Sequence, residues 1–124
     1  MKPLRVLIVE DSENDTILLL RMLKKGGYET FHRRVQTEES MRAALSKEKW
    51  DLILSDHDLP CFSAPEALKV YQESGLDVPF IIVSGAMGEG VAKAAMNAGA
   101  HGFIKKKELA CLIPVIHQKL LHHH

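Results

Sequence analysis

Short apolar runs alternate with longer segments of helical period along the whole chain. "LRVLIV" (4–9), "YETFHRRV" (28–35), "DLILS" (51–55), "PFIIVS" (79–84) and "HGFIK" (101–105) read as strands. The first, third and fourth are nearly continuous runs of leucine and β-branched residues, the pattern of central parallel strands covered on both faces. The second alternates and is more polar, which places it at a sheet edge. Between the strands lie helical stretches with readable starts and stops. In "SENDTILLLRMLKKGG" Ser12 is the N-cap, the first turn is acidic, Lys24 and Lys25 lie in the last turn, and Gly26 is the stop. Thr16, Leu19, Leu20 and Leu23 fall at three- and four-residue spacings and mark its buried face.

"TEESMRAALSKE" starts at Thr37, and "SAPEALKVYQESG" carries Ser63, then Pro65 in its first turn and Glu66 in capping-box position. "EGVAKAAMNAG" ends at Gly99, and "ELACLIPVIHQKLL" closes the chain, with Pro114 predicted to kink or unwind it. Five strands and five helices in strict alternation predict an α/β domain, a doubly wound five-stranded parallel sheet flanked by helices. In such sheets ligands bind beyond the carboxyl ends of the strands. Every polar cluster of interest follows a strand: Glu10-Asp11, Asp56-His57-Asp58, Ser84-Gly85 and Lys105-Lys106-Lys107. The fold therefore predicts that all four meet at one edge.

Composition narrows the picture. At 124 residues, 46% hydrophobic and 26% charged, the chain has the size and make-up of one globular domain. Sixteen basic residues balance sixteen acidic ones, so no global field favours nucleic acid or an anionic membrane. No apolar run approaches the roughly 18 residues of a membrane span, and the start is too quickly acidic for a signal peptide. Cys61 and Cys111 have no paired metal spacing and read as reduced cytosolic thiols. His122-His123-His124 looks like a purification-tag remnant and leaves 1–121 as the domain. His32, His101 and His117 show no partner spacing and read as surface residues.

Carboxylates from two strand ends around a shallow pocket suit a hard divalent cation such as Mg2+, which takes a few carboxylates and readily a phosphate oxygen. A carboxylate there can attack phosphorus to give an aspartyl phosphate. Such transfer needs in-line positioning and charge neutralisation more than acid–base chemistry. A hydroxyl from Ser84 and an ammonium from the 105–107 run would complete an anion cradle.

"LIVEDSEND", "DLILSDHDLP", "IIVSGAMGEG" and "GAHGFIKKKEL", in this order, resemble the receiver domain of two-component response regulators over residues 4–121. The resemblance implies a flavodoxin-like fold with strand order 2-1-3-4-5. It makes Asp56 the phosphoacceptor, Asp11 a direct Mg2+ ligand, Glu10 a ligand through water, and Asp58 a ligand through its backbone carbonyl. Ser84 would be the hydroxyl that reports phosphorylation, Lys106 the lysine on the phosphoryl group, and Phe103 the switch aromatic. The implied partners are a histidine kinase or phosphotransfer protein, with a protein-interaction output, no direct nucleic acid or membrane contact, and a weak homodimer of a kind common in the family.

Two departures from the family pattern stand out. Lys107 occupies the place of the usual proline, where a cis bond before a non-proline costs about 2.5–4 kcal/mol, so a trans bond and a shifted lysine are expected. Phe103 lacks the hydroxyl of the frequent tyrosine. "DHDLPCFSAPEAL" with "KKKEL" looks most like receivers attached to sensory-box or hybrid histidine kinases. A receiver-like domain that binds partners without phosphate is the nearest alternative. A phosphatase of haloacid-dehalogenase type would share the aspartyl phosphate and use "SDHD" as its D-x-D. That class needs further metal-binding acids after its lysine, and Glu108 is the sole acid beyond residue 106. A nucleotide-binding module lacks its glycine-rich loop after the first strand.

Overall fold

A computed structural model describes residues 2–56, 64–85 and 89–121. The strands are β1 (Lys2–Val9), β2 (Tyr28–Val35), β3 (Leu52–Asp56), β4 (Phe80–Ser84) and β5 (Gly102–Lys105). The helices are α1 (Glu13–Lys25), α2 (Glu38–Lys47), α3 (Ala64–Ser74), α4 (Glu89–Asn97) and α5 (Leu112–Leu121). All strand pairs are parallel, in the order β2-β1-β3-β4-β5, so the polar second strand does lie at an edge.

The continuous apolar runs of the inner strands are explained by two cores, one on each face. Leu7, Val9, Ile53, Phe80 and Ile82 point to one side, where Met41 and Ala44 of α2 and Ala67, Leu68 and Tyr71 of α3 cover them with Trp50. Val6, Ile8, Leu52, Leu54, Ile81 and Val83 point to the other, under Leu19 and Leu23 of α1 and Leu112 and Ile116 of α5. Successive strand residues serve opposite faces, so both faces call for apolar residues until the strand ends.

The starts of α1 and α2 are as expected. The Ser12 side chain accepts from the Asp15 N–H at the start of α1, and Thr37 forms a reciprocal capping box with Ser40 on α2. At the end of α1, Gly26 keeps an ordinary φ of −78°, and Gly27 takes the left-handed conformation at φ +94°. The last helix departs further from expectation. A 3-10 turn (Lys106–Cys111) precedes α5, with Glu108 at φ −119° and ψ 36°. Pro114 falls in the first turn of α5, where its missing N–H costs no intrahelical bond, and the irregularity lies ahead of it.

The register sets the site. Val9 pairs with Ser55, Asp56 with Val83, and Ser84 with Lys105. Glu10, Asp56, Ser84 and Lys106 therefore emerge at one edge of the sheet, at the carboxyl ends of four adjacent strands.

Candidate functional site

Glu10 follows β1 directly and is buried, 1% exposed. Its backbone is tied to the edge strand: its N–H donates to the Val35 carbonyl at 3.0 Å, and its own carbonyl accepts from Arg34 Nη1 at 3.3 Å. Its side chain turns back over the start of α1, where Oε1 accepts from the N–H groups of Asp11 and Ser12 at 3.0 and 3.1 Å. Oε2 is buried, with Lys106 Nζ 3.5 Å away. Asp11 is exposed at the rim. Asp56, the last residue of β3, is 6% exposed, and Ser84, the last residue of β4, is fully buried.

Lys106 opens the 3-10 turn after β5 and reaches back over the acids. Its Nζ donates to Asp15 Oδ2 at 2.7 Å and to Asp56 Oδ2 at 3.2 Å. Of the three consecutive lysines it is thus Lys106 that enters the site. No cis peptide occurs among the described residues, so the bond to Lys107 is trans as expected, yet the lysine still reaches Asp56. Phe103 of β5 is partly buried against the core on the α2–α3 face. Asp58 lies outside the described residues, as do His57, Cys61 and Ser63.

The electrostatics follow from burial and proximity. Burial first, then a hydrogen bond and repulsion from Asp56, push the Glu10 carboxyl up to about 8. Burial alone would lower the Lys106 ammonium, but Asp15, Asp56 and Glu10 outweigh it and hold it above its usual range.

Carboxylate oxygens of Glu10, Asp11 and Asp56 lie within 4.8 Å of one another. Three hard oxygen donors fit a divalent cation such as Mg2+. The Glu10 carboxyl, buried in this cluster beside Asp56, is the group whose charge such a cation would offset.

A pH dependence follows. A carboxyl whose pKa is higher folded than unfolded binds more protons in the folded state. Its contribution to stability is present below the ordinary value of 4.5 and is lost as pH rises through about 8. In chelator, the melting temperature of the wild type is expected to fall across that window, and Glu10→Gln is expected to flatten the fall. Thermal unfolding at stepped pH checks it; parallel curves for the two proteins would contradict it.

Three groups escape the sequence reading. Asp15 looks like an ordinary acid in a helix first turn, and nothing local marks its partner. His117 Nδ1 lies 2.6 Å from the Tyr28 hydroxyl, and His101 Nδ1 accepts from the Phe80 N–H at 2.9 Å. Both histidines have partners that the sequence does not mark, because the fold brings distant segments beside them; His117 is nonetheless exposed, as read, and His101 is half-buried.

Comparison with known proteins bears on the family and the fold. The family model of the response regulator receiver domain matches residues 6–116. The sensory/regulatory protein RpfC of Xanthomonas campestris pv. campestris is 28% identical over 125 residues, which cover 98% of this chain and 16% of that protein. The chain thus spans about a sixth of that curated relative. The two-component response regulator ORR42 of Oryza sativa subsp. japonica is 30% identical over 117 residues, 93% of this chain and 86% of that protein. Among solved structures, the receiver domain of sensor histidine kinase PA1611 from Pseudomonas aeruginosa PAO1, with magnesium in its active-site cleft, superposes with a TM-score of 0.76. It is 23% identical, over 95% of this chain and 98% of that one.

Proposed function

The chain belongs to the response regulator receiver domain family, phosphoacceptor signalling domains of two-component systems, and we propose that Asp56 is the residue that takes the phosphoryl group. The observation that carries this is the Lys106 ammonium 3.2 Å from Asp56 Oδ2, at a strand end ringed by Glu10 and Asp11. The donor is the phosphohistidine of a histidine kinase or phosphotransfer protein. An Asp56 carboxylate oxygen attacks phosphorus, the P–N bond to the imidazole breaks, and the imidazole leaves with the electron pair and takes up a proton. Lys106 donates to the phosphoryl oxygens as their charge moves onto Asp56.

Glu10, Asp11 and Asp56, with the Asp58 backbone carbonyl, would hold Mg2+, which when bound neutralises phosphoryl charge. Ser84 and Phe103 are the switch: the hydroxyl turns towards the phosphoryl group and the half-buried ring follows, changing the surface around α4, β5 and α5. Residues 1–121 are the receiver domain in this reading. It works in the cytoplasm, contacts neither nucleic acid nor membrane, pairs at most weakly with itself, and performs no catalysis beyond its own phosphorylation and dephosphorylation. Kinship with receivers of sensory-box or hybrid kinases is part of the same proposal.

Amide NMR with magnesium and beryllofluoride, which stands in for the phosphoryl group, tests it. Shifts at Ser84, Phe103 and Lys106 in the wild type, absent from Asp56→Asn, are the expected result. Shifts that persist in Asp56→Asn would move the anion site elsewhere.

A further inference from the structure

Lys106 is held most closely by a side chain outside the acid set described above. Its Nζ is 2.7 Å from Asp15 Oδ2, against 3.2 Å from Asp56 and 3.5 Å from Glu10. The local chemistry of α1 explains why Asp15 is available. An acid three residues after an N-cap ordinarily reaches back to the N-cap N–H, as Ser40 does for Thr37 on α2. On α1 the Ser12 N–H is already taken by Glu10 Oε1, so the Asp15 carboxylate is released to turn towards the end of β5.

Packing does not fix the lysine. A cavity of about 60 Å³, lined by Asp15, Leu18, Leu19, Val83 and Leu109, lies beside it, and a four-carbon stem retains several rotamers in such a space. Directed hydrogen bonds must place the ammonium, and Asp15 supplies the shortest of them.

We propose that Asp15 is a positioning residue: it grips one N–H of the Lys106 ammonium so that the remaining donors face Asp56 and the phosphoryl group formed there. This rests on Asp56 being the phosphoacceptor. Asp15 contacts the ammonium and is not one of the three acids gathered around Asp56. After Asp56 is phosphorylated, one donor stays on Asp15 while the others move from the carboxylates to phosphoryl oxygens.

The sign of the effect separates positioning from simple charge. Removing a carboxylate from an acidic site would, by charge alone, ease approach of a phosphoryl donor. If Asp15 positions the lysine, Asp15→Asn instead slows phosphorylation by acetyl phosphate with magnesium, by about tenfold, in line with losing one charge-assisted anchor. Asp15→Glu, which keeps the anion on a longer arm, should restore most of the rate. In a Lys106→Met background Asp15→Asn should change nothing further, because its effect runs through the ammonium.

The experiment measures these rates by intact-protein mass, beside the melting temperature of each variant. Faster or unchanged uptake in Asp15→Asn overturns the proposal, and so does an equal loss in the Lys106→Met background. If wild type itself acquires no phosphate, the phosphoacceptor reading falls and takes this inference with it. Uptake by wild type with an indifferent Asp15→Asn leaves that reading standing and removes this inference alone.

Discussion

Asp56→Asn is expected to abolish phosphoryl uptake from acetyl phosphate, slowing it at least about a hundredfold, because an amide oxygen is a far weaker nucleophile than a carboxylate. The loss should come without unfolding. Asp56 ends β3, and its pairing with Val83 is a backbone matter that the substitution leaves alone. Lys106 keeps its shortest bond, to Asp15. The substitution also removes one of two buried carboxyls that repel each other, since Asp56 raises the proton affinity of Glu10. The melting temperature in chelator should therefore hold or rise. Rates by intact-protein mass and thermal unfolding of the same preparation separate lost chemistry from lost structure. An Asp56→Asn protein that phosphorylates at the wild-type rate would place the acceptor elsewhere.

The largest effect on stability is expected at Phe80. This ring is fully buried at the start of β4, in the core under α2 and α3, with its centroid 5.3 Å from that of Tyr71. Phe80→Ala removes the ring and leaves a cavity that a sheet interior closes only partly, a cost of about 3–5 kcal/mol. Domains of this size are held by about 5–15 kcal/mol, so the variant should be near the limit of folding. Urea unfolding at constant temperature measures it. A loss below about 1 kcal/mol would mean that the core collapses around the deletion, contrary to the close packing described. The ring's neighbours gain from the same place: the Phe80 N–H donates to His101 Nδ1 and its carbonyl accepts from the His101 N–H, tying β4 to the start of β5.

The strands were legible because burial on both faces leaves a signature in consecutive residues. Leu7 and Ile8 serve opposite cores, and a run such as "LRVLIV" records both at once. β2 was legible as an edge for the opposite reason, since Glu29, His32, Arg33 and Arg34 are exposed. The positions of Glu10, Asp56, Ser84 and Lys106 at strand ends followed from the alternation of elements and parallel topology. What escaped were relations between distant residues whose types carry no local mark. Asp15 and Lys106 are 91 positions apart, and Tyr28 and His117 are 89. An acid in a first turn satisfies the helix dipole whatever else it touches, so its second role leaves no trace in the pattern. The 3-10 turn before α5 was hidden likewise, since "ELACLI" has good helix formers and nothing in it marks the tighter turn.

The central claim is that the acids at this sheet edge serve to phosphorylate Asp56. The most direct measurement is incubation of the wild-type protein with magnesium and acetyl phosphate, followed by reduction of the acyl phosphate with borohydride and mass mapping of the peptides. A single modified residue at Asp56, absent when magnesium is chelated, is the predicted result. Modification at any other residue, or none at all, would contradict the account.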